Sequence, residues 1–420
     1  MSDTRPKKRA VVAGAARTPV GVKCGTLRNQ SAEDLGVLAA EEAIKRSTID
    51  RQSIDAVVGA NVYQFTATGV QDIYFPRNIS LRCHLRTEIA ALMVQRICGS
   101  GLQTVISGLQ QIMLPDEIED THAVLCVGAE TMSRAPQILR SQRLKTNFWE
   151  FAEGGCLEDA MLASLNHDLA GTNMMTTADE YGSRMGITRQ ACDAFAHLSH
   201  TRARDAYRAS HVNGGDALRG MFIVDTTDPD GGLVHLGRDE CVRKTTMEKL
   251  ACLAGLTPNK LVSPGNASEI SDGAAALVLV DRKTAEKAGL PSRYEIAGYG
   301  VAGVDPRVMG RGPVPSINKA LACARITLKD VGLWEINEAF AAQFLGVEKE
   351  LGLDREIVNV NGGAIAIGHP LGATGARLLV DLIYEMQRRD VRYGCASACI
   401  GGGQGVAVVV RDAEKQERRG

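Results

Sequence analysis

At 420 residues the chain is long enough for a large core and for more than one domain. Its 48 basic and 49 acidic residues leave a formal charge of −1, so no global field argues for a nucleic-acid or membrane-surface partner. No apolar run approaches a membrane span, the opening "MSDTRPKKRAVVAGAART" lacks the core of a signal peptide, and eleven cysteines, several in apolar stretches (Cys126, Cys323), read as reduced core thiols in a cytoplasmic setting.

In chain order, "RAVVAGAART" is a first apolar strand, and no G-x-G-x-x-G follows it, which argues against a dinucleotide-binding fold. Residues 36–62, "GVLAAEEAIKRSTIDRQSIDAVVGANV", run as helix, short polar connection and apolar strand. Residues 98–130, "CGSGLQTVISGLQQIMLPDEIEDTHAVLCVGAE", run as Gly-rich turn, apolar helix, polar break and strand. Both plans recur later and in the same order. "PSINKALACARITLKDVGLWEINEAF" (315–340) repeats the first, with its helix ending near Arg325, and "HPLGATGARLLVDLIYEMQRRDVRYGCASACIGGGQG" (369–405) repeats the second. Alternating helices and strands predict an α/β fold, and the repetition predicts two duplicated halves. Between them, 138–264 is polar and irregular, with one amphipathic helix at about 190–211 stopped by Asn213-Gly214; it reads as an inserted loop domain. The division expected is 1–137 with 265–290 for the first half, 138–264 for the insertion and 291–420 for the second half.

Four stretches carry chemistry. Cys98 precedes Gly-Ser-Gly and a helix whose free N–H groups and dipole favour a thiolate, and the glycines let a ligand approach the backbone. A cysteine before Gly-x-Gly is nonetheless more often structural than catalytic, and the residues alone leave the question open. His369 opens the equivalent Gly-rich turn in the second half, where it serves either as a base or as a buried structural histidine. Cys399 precedes Gly401-Gly402-Gly403 at a strand end, a place for a backbone N–H facing a ligand oxygen; Cys395-x-x-x-Cys399 lacks the companion pair that a zinc site needs. Asn337 and Glu338 end a strand, and by composition they read as caps of the next helix.

The ordered set "CGSGLQ", "GAETMSRAP", "GNASEISDGAAALVLV", "NEAFAAQ", "NGGAIAIGHPLGATGAR" and "CIGGGQG" resembles the thiolases, which make or cleave 3-ketoacyl-CoA, over nearly the whole chain. The resemblance implies a layered α-β-α-β-α body and a homodimer or dimer of dimers. It implies acyl-CoA and CoA as substrates, and no bound cofactor or metal. By it Cys98 is the acylated nucleophile, His369 its base and Cys399 the second acid–base cysteine. Asn337 and His369 form one oxyanion hole, Asn337 holding a water; the backbone N–H groups of Cys98 and Gly401 form the other. Ser268, Met174, Asn173, Ala339, Phe340 and Arg243 fall at substrate- or CoA-binding places. Three residues depart from the pattern: Glu269 stands where glycine is usual, as does Met175, and Gln95 replaces an asparagine. Asn173, where short-chain biosynthetic members carry histidine, points to degradative thiolysis. A biosynthetic acetoacetyl-CoA thiolase and a non-catalytic thiolase-like binding protein are the alternatives, and Cys399 argues against a decarboxylating condensing enzyme.

Overall fold

A computed structural model describes residues 8–66, 71–140, 156–167, 170–212, 220–227 and 231–415. The first half supplies β1 (Ala10–Arg17), α1 (Ala32–Ser47), β2 (Ala56–Ala60), β3 (Ala90–Met93), α2 (Ser100–Met113) and β4 (Ala123–Thr131). The insertion contributes α3 (Met174–Arg184) and α4 (Arg189–Val212), the latter being the amphipathic helix expected there; Asn213-Gly214 and residues 141–155 lie outside the described residues. After β5 (Ser271–Asp281) the second half runs β6 (Tyr294–Gly303), α5 (Pro313–Ala324), β7 (Leu333–Ile336), α6 (Ala341–Leu351), α7 (Leu371–Arg389), β8 (Tyr393–Ile400) and β9 (Gln404–Asp412).

These strands make a ten-stranded mixed sheet in the order β7-β8-β9-β6-β1-β5-β4-β2-β3, with the short strand Gly21–Val22 paired to β5. Read outward from the middle, each half repeats one plan. The first strand lies antiparallel to the last, the last antiparallel to the strand after the central helix, and that strand parallel to the next. The halves meet edge to edge where β1 pairs with β6, Val11 opposite Glu295 and Val12 opposite Tyr294. The duplication read from sequence is therefore a duplication of topology.

Local chemistry explains the elements. Ser31 and Asp34 form a capping box that starts α1, and Thr48 and Arg325 end α1 and α5 in left-handed caps. β4 and β5 are buried along their whole lengths, as strands covered on both faces must be. Fourteen of the nineteen residues of α7 are buried, so it is a central helix rather than a surface one. It packs with α2 in a layer shared by strands of both halves, where Leu102, Ile106, Leu378 and Leu379 are each fully or almost fully buried and contribute about 1.5–3 kcal/mol apiece. α1 covers the outer face of the first half, and α5 and α6 that of the second. Cys323, expected in the core, lies instead on the exposed side of α5. The apolar run around it belongs to a helix that buries only one stripe.

Candidate active site

The two central helices set the site. They cross so closely that a Cβ on Gly101 would sit 2.4 Å from the Ala376 backbone N, and one on Gly375 would sit 2.2 Å from the Leu102 backbone N. Gly101 in "CGSG" thus serves helix packing, not the ligand approach expected from sequence; Gly99 faces Ile400 and Val406. The crossing brings the N-terminal ends of α2 and α7, and the residues just before them, to one place.

Cys98 lies in a single 3-10 turn, Ile97–Gly99, ahead of α2. Ile97 has φ +44°, a left-handed conformation that costs a β-branched residue about 1–3 kcal/mol. The Ser100 hydroxyl holds the turn, accepting from Arg96 N (2.8 Å) and donating to Ile97 O (2.7 Å). The backbone N–H groups of Gly401 and of Cys98 itself lie near the Cys98 sulfur and favour its ionised form. The structure corrects the expected thiolate: burial outweighs these donors, Glu130 opposes them, and the thiol is pushed up to about 11. At neutral pH Cys98 is a neutral thiol.

His369 is buried ahead of α7. Its Nδ1 lies 2.7 Å from Thr374 Oγ1, whose single proton is donated to Pro370 O at 2.9 Å. Thr374 must then accept from Nδ1–H, which leaves Nε2 without a proton and able to accept one. Asn337 Nδ2 donates to Nε2 at 3.3 Å, and Asn337 Oδ1, fully buried, has no partner among the described residues. Burial, helped by Arg377, lowers the histidine to about 3, so it is neutral at neutral pH. Cys399 is fully buried at the end of β8, and burial followed by the neighbouring Cys98 raises its thiol strongly.

Cys98, His369, Cys399 and Gly401 line one cavity of about 730 Å³, largely walled by apolar side chains. Ser268, Met174, Asn173, Ala339 and Phe340 line it too, as do all three departures, Gln95, Met175 and Glu269. Asn173 has a second duty, capping α3 through its Oδ1 and Thr176 N (2.9 Å). Gly401 faces the cavity, where a Cβ would meet Met174 Sδ at 3.2 Å. Asn337 stands behind His369, and the cap reading of Asn337 and Glu338 fails, because α6 begins three residues later with Phe340 as its cap. Glu338 instead accepts from Ser199 Oγ (2.7 Å), Asn359 Nδ2 (2.8 Å) and Ile365 N (3.2 Å). Arg243 is outside the cavity, paired at 2.7 Å with Glu269.

Sequence reading missed Thr374, Glu130, Met132 and Met309. The buried Glu130 carboxylate accepts from Asn61 Nδ2 (2.8 Å), Tyr63 N (3.0 Å), Val62 N (3.1 Å) and Gly372 N (2.9 Å). It ties the cavity wall to the start of α7, and burial raises it to about 7.

Residues 10–283 match the thiolase N-terminal domain and residues 290–412 the thiolase C-terminal domain. The chain belongs to the thiolase family. It is 37% identical over 402 residues to the mitochondrial 3-ketoacyl-CoA thiolase of Mus musculus, covering 96% of this chain and 98% of that one. It is 38% identical over 410 residues to the acetyl-CoA acetyltransferase of Syntrophomonas wolfei, covering 96% and 99%. The solved structure of human mitochondrial 3-ketoacyl-CoA thiolase in complex with CoA superposes with a TM-score of 0.89 at 37% identity, covering 97% of this chain and 98% of that one. This thiolase is an acyltransferase acting on CoA substrates. No helix among its described residues is long and apolar enough to cross a membrane.

Proposed function

We propose that this thiolase performs CoA-dependent cleavage of 3-ketoacyl-CoA to acetyl-CoA and a shortened acyl-CoA, in a ping-pong sequence through acyl-Cys98. The observation that carries the reading is the convergence of two thiols, one neutral imidazole with an unprotonated Nε2 and two backbone N–H groups on one cavity. Because Cys98 is a neutral thiol and His369 neutral, ionisation in advance is unfavourable; the proton passes to Nε2 as the sulfur attacks the ketone carbon C3. The oxygen that becomes negative lies beside the attacked carbon, where the Cys98 and Gly401 N–H groups already converge on the sulfur. The C2–C3 bond then breaks and leaves the acetyl-CoA carbanion. Protonated His369, and a water held by Asn337 Oδ1, face its thioester oxygen, and Cys399 gives C2 a proton. Cys399 thiolate next takes the proton of a CoA thiol, which attacks acyl-Cys98, and His369 returns its proton to the departing sulfur.

The apolar cavity wall, with Met132, Met174, Met175 and Met309, suits acyl chains of varied length, since methionine side chains adapt to irregular shapes. Asn173 favours the degradative direction. The 38% identity to an acetyl-CoA acetyltransferase favours the second reading, condensation of two acetyl-CoA. The division into halves 1–137 with 265–290 and 291–420 around the insertion 138–264, a cytoplasmic setting, a homodimer or dimer of dimers, a place in fatty-acid breakdown and the lack of any further cofactor belong to the same proposal. Thiolysis of 3-ketoacyl-CoAs from acetoacetyl upward, with C98A alongside, tests it. Faster cleavage of longer chains, abolished in C98A, supports the degradative reading. Activity confined to acetoacetyl-CoA supports the biosynthetic one, and none with the folded, reduced protein overturns both.

A further inference from the structure

Among the described residues that line the cavity, Glu269 is the one carboxylate, and it neighbours Ser268. Its Oε1 pairs with Arg243 Nη1 at 2.7 Å, both side chains being partly exposed. The backbone beneath the pair is fixed. Glu269 O accepts from His369 N (3.1 Å) and from the Ser271 hydroxyl (3.1 Å), and Ser268 N donates to Ala339 O (3.0 Å). Arg243 N donates to the buried His200 Nδ1 (3.2 Å). Only the two side chains are therefore free to change partners. CoA carries a phosphate and a diphosphate at the end remote from its thiol, and an anion that meets Arg243 here finds the cation already neutralised and a carboxylate beside it.

Resting on the reading that the cavity takes CoA thioesters, we propose that Glu269 and Arg243 form a charge gate that sets the enzyme's preference for CoA over a thiol carrier without phosphates. Glu269 weakens the hold on the phosphate-bearing end and thereby speeds release of CoA products. Arg243 partly cancels that repulsion. A partly exposed carboxylate a few ångströms from a phosphate changes affinity by about threefold to tenfold at low salt, and by less as salt screens it.

The test compares CoA with pantetheine, which has the same thiol arm and no nucleotide, as acceptors for one 3-ketoacyl group, in wild type, E269Q, R243M and the double variant. E269Q retains the Glu269 backbone contacts and is expected to lower KM for CoA relative to KM for pantetheine by about threefold to tenfold, the gain shrinking at high salt. R243M raises that ratio, and adding E269Q to R243M recovers more than E269Q gains alone. Equal shifts for both acceptors in E269Q, or no shift in the ratio, overturn the gate. Calorimetric titration of CoA and pantetheine reads the same ratio without turnover. Absent thiolysis then counts against the proposed reaction, while an unchanged binding ratio counts against the gate.

Discussion

The turn before α2 and the turn before α7 are the same place in two copies of one fold, yet they hold opposite chemistry. Each enters its helix through a left-handed residue, Ile97 at φ +44° on one side and Gly368 at +110° on the other. One then presents Cys98, half-buried and facing two backbone donors. The other presents His369, buried and fixed from behind by Thr374. Duplication brings the turns together, because the helices that follow them cross at Gly101 and Gly375. Divergence at the equivalent positions then gives one cavity a thiol and an imidazole, the groups that the proposed thiolysis uses as nucleophile and base. Chemistry that needs two different groups at one point is thus built from one repeated unit.

The sharpest break in this pairing is H369A, which leaves Cys98 with no acceptor for its proton. Single-turnover thiolysis is expected to fall about a thousandfold, the scale on which a positioned base acts. The crossing itself is broken by G375A, whose methyl meets Leu102 backbone and cannot be absorbed by a side-chain shift. Urea unfolding is expected to show a loss of about 2–3 kcal/mol. T374V keeps the shape but removes the acceptor for Nδ1–H, so the ring no longer has one enforced tautomer. The expected loss in kcat is about tenfold, with KM for the acyl-CoA little changed.

The smallest effect concerns pH. His369 and His200 are both lowered by burial, to about 3 and about 4, so both are neutral in the folded chain and charged in the unfolded chain below about 6.5. The stability from keeping them neutral is present above pH 6.5 and lost as pH falls through that range, by about 1.4 kcal/mol per pH unit for each. H200Q is expected to reduce the slope of unfolding free energy between pH 6 and 4.5 by about one proton.

Much of this was legible in the sequence. The order of helix, break and strand is written in hydrophobic periodicity, and its recurrence announced both halves. Cys98, His369 and Cys399 stood out because each sits at a Gly-rich junction, and two of those junctions are equivalent. What escaped was whatever depends on a distant neighbour. A threonine in "GATG" reads as a turn residue until Pro370 O is seen to claim its only proton. The dipole argument favoured a Cys98 thiolate, but the burial that reverses it comes from other segments of the chain, with Tyr63, Met132, Met161 and Leu371 in the cluster against which Cys98 packs. Glycines that looked like room for a ligand are room for a helix. Arg243 and Glu269, 26 residues apart, showed no sign in sequence that they meet.

The central claim is that Cys98, among the chain's eleven cysteines, carries the acyl group. Incubating the enzyme with a 3-ketoacyl-CoA in the absence of free CoA, quenching in acid and mapping peptides by mass spectrometry reads this directly. The expected result is the mass of the shortened acyl group on the peptide containing Cys98, discharged when CoA is added. Stable, CoA-dischargeable acylation of Cys399, or turnover with Cys98 never modified, would contradict it.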